Sequence, residues 1–131
     1  MTSTSTPRQV PETIASPSDL ATLVALRLSL GDEILSELLS THLAAVDALS
    51  EELQAASRRA DWPLAMQLAC DVAAKSGELG FRAVTNAARS FAAAAADKLE
   101  PHQLRNGVQM VVFEHERLRL AIKLQFPELL V

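Results

Sequence analysis

From Ser16 onward the apolar positions recur at intervals of three and four, the spacing of one face of an α-helix. Ser16-Pro17-Ser18-Asp19 reads as a helix start: a capping Ser, Pro in the first turn, an acid three residues on. A short first helix runs from there to about Leu28 and stops before Gly31. Asp32 opens a long helix to about Arg58, on which Leu35, Leu38, Leu39, His42, Val46, Leu49 and Leu53 share one face. Asp61-Trp62-Pro63 starts a third helix, about Trp62–Gly77, closed by Glu78-Leu79-Gly80. A fourth, about Phe81–Asp97, buries Val84, Ala87, Ala88, Phe91 and Ala95. Pro101 opens the fifth, whose face holds Leu104, Val108, Val111, Leu118 and Ile122 up to Pro127. Four long amphipathic helices with short connections predict an antiparallel up-down four-helix bundle, with the short N-terminal helix capping one end.

Composition strengthens the all-α reading. Ala and Leu fill 43 of the 131 positions, Gly only 4, Tyr none, and aromatics make up 4%. Strands favour the β-branched and aromatic residues that are scarce here. The length supports one domain, expected over residues 16–131. Residues 1–15, rich in Thr, Ser and Pro without an apolar core, read as a disordered leader and not as a signal peptide. A net charge of −4 and no Lys/Arg cluster larger than Arg58–Arg59 argue against a nucleic-acid partner. No run approaches the apolar length of a membrane span. The lone Cys70 permits no internal disulfide. A cytoplasmic location is expected.

The third helix has two apolar seams where an outer helix needs one. On a wheel, Leu64, Ala65, Leu68, Val72 and Ser76 point to the core. Met66, Cys70, Ala73 and Gly77 fall on the opposite side, with Ala74 beside them. An outward seam of small residues reads either as an interaction surface or as ordinary alanines on a solvated helix.

Residues 69–80, Ala-Cys-Asp-Val-Ala-Ala-Lys-Ser-Gly-Glu-Leu-Gly, resemble the signature Ala-His-x-Leu-Lys-Gly-Ser-(Ser/Ala)-x-x-Leu-Gly of histidine-containing phosphotransfer (HPt) domains. Gly31-Asp32-Glu33-Ile34-Leu35 is similar to the way that family opens its long helix. Ala60-Asp61-Trp62 is similar to its Gly-Asp-Trp approach to the active helix. The register extends from about Ser18 to Leu120. The resemblance implies the HPt four-helix fold and a place in bacterial two-component phosphorelay signalling.

The resemblance also locates the family's chemistry, which this chain replaces. In HPt domains a solvent-facing His carries the phosphoryl group, a Lys three residues on balances charge, and a Gly four residues on gives clearance. Cys70, Ala73 and Ala74 stand at those places. A thiol is only a few per cent ionised unless its pKa is lowered, and no His or Arg lies within one turn of Cys70. Lys75, five residues on and about 140° around the helix, does not stand in for the missing Lys. The family's Leu-Glu pair in the following helix reads Phe91-Ala92.

Three histidines offer other acceptors. His42 and His115 lie in apolar stripes and read as packing residues that should be mostly buried. His102 follows Pro101 in an exposed first turn without a small-residue seam beside it. Glu114-His115-Glu116 diverge around their helix and make a weak metal set, so neither metal nor cofactor is expected. Phe113, Leu120 and Leu124 form a second apolar line on the fifth helix, which either packs under the first helix or forms a homodimer face.

These observations lead to the expectation of a degenerate HPt-like protein, a pseudo-phosphotransferase that binds a response-regulator receiver domain or a histidine kinase. It would act as an adaptor or inhibitor through Met66, Cys70, Ala73, Ala74 and Gly77. Two alternatives stay open: an active phosphotransferase with a non-standard acceptor, and a helical interaction module unrelated to phosphorelay.

Overall fold

The computed structural model describes residues 16–130, so the leader expected over residues 1–15 lies outside the described residues. The described residues are all-helical: α1 (Pro17–Leu30), α2 (Asp32–Arg58), α3 (Trp62–Leu79), α4 (Arg82–Ala96) and α5 (Pro101–Gln125), then a 3-10 turn Pro127–Leu130. Among the described residues there is no strand, and no helix is long and apolar enough to cross a membrane.

Local chemistry sets the helix ends. The Ser16 hydroxyl accepts from the Asp19 N–H at 3.2 Å, and Pro17 occupies the first turn, where its missing N–H costs nothing. Gly31, at φ +83°, both ends α1 and precedes α2, a turn that L side chains rarely adopt. An Asp61 carboxylate oxygen accepts from the Leu64 N–H at 3.3 Å. Gly80 closes α3 in the left-handed conformation, with the Phe81 N–H donating to the Ser76 carbonyl at 3.0 Å. The Gln103 side chain accepts from the Glu100 N–H at 3.2 Å at the start of α5.

Packing runs from each helix to the next, α2 on α3, α3 on α4 and α4 on α5, and α5 returns to α2. One continuous core results, with Leu39, Val46 and Leu53 of α2 meeting Ala65, Ala69 and Val72 of α3. Phe91 of α4, 1% exposed, and Val108 and Ile122 of α5 complete it. Burying each such side chain contributes roughly 1.5–3 kcal/mol. A Cβ at Gly107 of α5 would lie 3.0 Å from the Phe91 ring, so glycine at this position lets α4 and α5 approach.

The first helix lies against α2 and α4. Asp19, 2% exposed, accepts from the Arg82 N–H at 2.7 Å and the Ala83 N–H at 3.4 Å. Thr22 donates to the Gly80 carbonyl at 3.4 Å. At the other end of α1, Arg27 pairs with Asp32 at 2.7 Å and with Glu128, and stacks over Phe126. So α1 runs across the start of α2, the α3–α4 junction and the end of α5. It extends two residues beyond its expected stop at Leu28.

Two sequence expectations need correction, and one pair of open alternatives is narrowed. Leu64 is 36% exposed and does not join the core face. Ala73 is 7% exposed and belongs to the core, not to an outward seam. Phe113, Leu120 and Leu124 are about half exposed, so they do not pack under α1. The reason for Ala73 is angular. At about 100° per residue it lies about 80° from Ala65, on the flank of the inner face, where contact with α4 covers it.

Candidate functional site

The face of α3 that the sequence singles out is split by this burial. Cys70, Ala74 and Gly77 are exposed, Met66 is half-buried, and Ala73 is turned inward. Cys70 is a free thiol. A Cβ at Gly77 would lie 3.9 Å from Thr85 of α4, an ordinary contact distance. The outward strip is therefore Cys70, Ala74 and Gly77, with Met66 at its edge, and small side chains keep it low.

Beside this strip α4 contributes residues that sequence reasoning did not single out. Gly77, Gly80, Arg82, Thr85, Asn86 and Arg89 line a cavity of about 460 Å³. Arg82, Asn86 and Arg89 are exposed and repeat at intervals of four and three, so they share one face of α4. That spacing is readable in the sequence, but their position beside α3 follows only from the α3–α4 packing. The cavity joins Gly77, at one end of the strip, to Arg82 and Arg89, while exposed Asp71 and Glu78 of α3 flank Cys70 and Ala74.

No histidine reaches this strip. His42, 7% exposed, packs tilted against the Phe81 ring with centroids 5.4 Å apart. Its Nε2 is buried without a hydrogen-bond partner. Burial, followed by the positive charge of His115 and Lys75, pushes its pKa down to about 4, so the ring is neutral near pH 7. A cavity of about 140 Å³ lies beside it, lined by Leu38, Lys75, Glu78 and Leu79 among others.

His115, 1% exposed, has its Nε2 2.7 Å from an Asp47 carboxylate oxygen, and its Nδ1 is buried without a partner. His102 is exposed at the start of α5. The burial expected for His42 and His115 and the exposure expected for Cys70 and His102 are present in the structure. A buried ring nitrogen cannot accept a phosphoryl group from another protein without local opening of the helices.

The one convergence of metal-ligating atoms is not the set Glu114-His115-Glu116 considered from the sequence. Among the described residues, ligand atoms of Asp47, His115 and Glu116 lie within 4.8 Å of one another. Arg119 donates to both Asp47 oxygens and so places a fixed cation in the cluster. Burial works against ionising Asp47, but the hydrogen bonds from Arg119 and His115 outweigh it and hold the carboxyl below its ordinary pKa. The arrangement is an ion-pair network tying α2 to α5, and its guanidinium opposes a divalent ion at the same place. Sequence reasoning missed Asp47 because it stands 68 positions from His115.

No family model, curated protein or solved structure matches this chain.

Proposed function

We propose that the chain is an HPt-like protein of two-component phosphorelay signalling that carries no phosphate and works by binding. Its fold is then an antiparallel up-down four-helix bundle of α2–α5, with α1 across one end. The closed circuit of helix contacts and the meeting of α1 with four helix ends support that topology. Its partner is a response-regulator receiver domain or a histidine kinase, met in the cytoplasm. The chain acts there as an adaptor or as a competitor of the true phosphodonor.

The observation that carries this reading is the state of the acceptor position. Cys70, aligned with the phosphoacceptor His by the resemblance, is exposed on a low strip with Ala74 and Gly77, while His42 and His115 are buried. An imidazole near neutral pH is nucleophilic and its phosphoramidate passes phosphate on, whereas a thiol without a neighbouring base is poorly ionised. On this reading the outward strip serves for docking, while the family's His, Lys and Gly are replaced by Cys70, Ala73 and Ala74. Arg82 and Arg89, at the Gly77 end of the strip, are placed to meet carboxylates of a partner.

The test is incubation with phosphorylated receiver domains, following label transfer and complex formation together. A stable complex without transfer is expected. Transfer would instead support an active phosphotransferase, and neither outcome a helical module outside phosphorelay.

A further inference from the structure

The last long helix carries two seams of coiled-coil spacing on opposite faces. Val108, Val111, His115, Leu118 and Ile122 alternate by three and four and are buried. Phe113, Arg117, Leu120 and Leu124 alternate in the same way. At about 100° per residue their mean direction is about 190° from the first seam. Phe113, Leu120 and Leu124 are 52%, 47% and 56% exposed. Single exposed apolar residues are normal on any protein, but three on one heptad line, with the Arg117 stem filling the remaining position, match the pattern of a helix that meets another helix.

We propose that this outer seam is a homodimer interface, in which α5 pairs antiparallel with α5 of a second copy about a two-fold axis. The spacing from Phe113 to Leu124 is four, three, four, which reads the same in both directions. A two-fold axis midway between them sets Phe113 against Leu124 of the second copy and Arg117 against its Leu120. A surface that maps onto itself in this way is what an isologous interface requires.

Charge selects the same pairing. Glu116 and Lys123, seven residues apart, lie on one flank of the seam. Antiparallel pairing brings Glu116 of each copy alongside Lys123 of the other, twice by symmetry. Among the described residues Glu116 lies near the Asp47–His115 pair and makes a loose contact with Arg119, at 3.8 Å. Parallel pairing in register would stack Arg117 on Arg117. Antiparallel pairing lets each guanidinium stay with its own Glu114, at 3.2 Å, over its own Phe113 ring. The outer seam lies on α5 and the Cys70 strip on α3, so the existence of the dimer does not depend on the receiver-binding reading.

Sedimentation equilibrium on the full chain over a range of concentrations tests the proposal, with thermal melts of every variant. A reversible dimer is expected, and Leu120→Glu and Leu124→Glu should each give a folded monomer. Glu116→Lys and Lys123→Glu should each weaken the dimer about fivefold, and the double exchange should restore it. A monomer at all concentrations, a dimer indifferent to both leucine variants, or a double exchange weaker than either single one would overturn the proposal.

Discussion

Cys70 and Ala73 stand less than one turn apart on α3, and the helix surface passes from solvent to core between them. The thiol is exposed, whereas Ala73 is 7% exposed and contributes to the core. Bulk or charge on this helix therefore has opposite consequences at neighbouring positions. Ala73→Glu forces a carboxylate against α4 and should destabilise the fold by about 3 kcal/mol. Ala74→Glu is outward and should change stability by no more than about 0.5 kcal/mol, while weakening receiver binding at least tenfold. Cys70→Ser should leave both unchanged. Thermal melts beside a binding assay separate the three, and undiminished binding by a folded Ala74→Glu protein would remove the strip from the interface.

Asp19 supplies α4 with the cap that Phe81, its own N-cap residue, lacks. Removing the carboxylate leaves the Arg82 and Ala83 N–H groups without this partner at a place only 2% exposed on the α1 side. Asp19→Ala should therefore cost about 2 kcal/mol. Asp19→Asn, which keeps one acceptor oxygen, should cost less. Chemical denaturation of the two variants checks the order.

Helix ends were legible in the sequence because Ser16, Gly31, Asp61, Gly80 and Pro101 act on their own backbone neighbours. The inner faces of α2, α4 and α5 were legible for a similar reason, since periodicity alone identifies Val46, Phe91 and Val108. The limits of a face were not. Ala73 lies about 80° from the middle of the inner face, and only the approach of α4 decides its side. Pairings between distant elements were equally hidden. Asp19 reads as a local helix-start acid, yet its partners lie 63 and 64 positions away. Of the candidate site, Cys70, Ala74 and Gly77 were legible as one strip, whereas Arg82 and Arg89 needed the packing of α4 beside it.

The buried imidazole of His42 should make stability depend on pH. Its folded pKa, about 4, lies below the ordinary 6.5, so the unfolded chain binds the extra proton first. The stability is fully present above pH 6.5 and is lost progressively as pH falls toward 4. The loss should be on the order of 2 kcal/mol after allowance for solvent screening. His42→Phe, with the adjacent cavity to receive the larger ring, should flatten the melting temperature over that interval. An unchanged slope in the variant would assign the effect elsewhere.

The link between α2 and α5 rests on Asp47, which holds both His115 and Arg119. Asp47→Ala leaves the Nε2 of a ring that is 1% exposed without this acceptor and should cost about 2 kcal/mol. Arg119→Met removes a partner that is only partly buried, 26% exposed, and should cost less. Because the Asp47 carboxyl is held below its ordinary pKa, its contribution is present above about pH 4 and is lost as pH falls further. Denaturation of both variants at pH 7 and pH 3 measures each part.

The most direct test of binding without phosphate transfer follows the phosphoryl group itself. A receiver domain carrying labelled phosphate is mixed with the chain, and label on each protein is read together with the amount of complex. The account predicts a complex in which all label stays on the receiver, with Cys70→Ser behaving as the parent protein. Label appearing on the chain, at Cys70 or at any histidine, would contradict it.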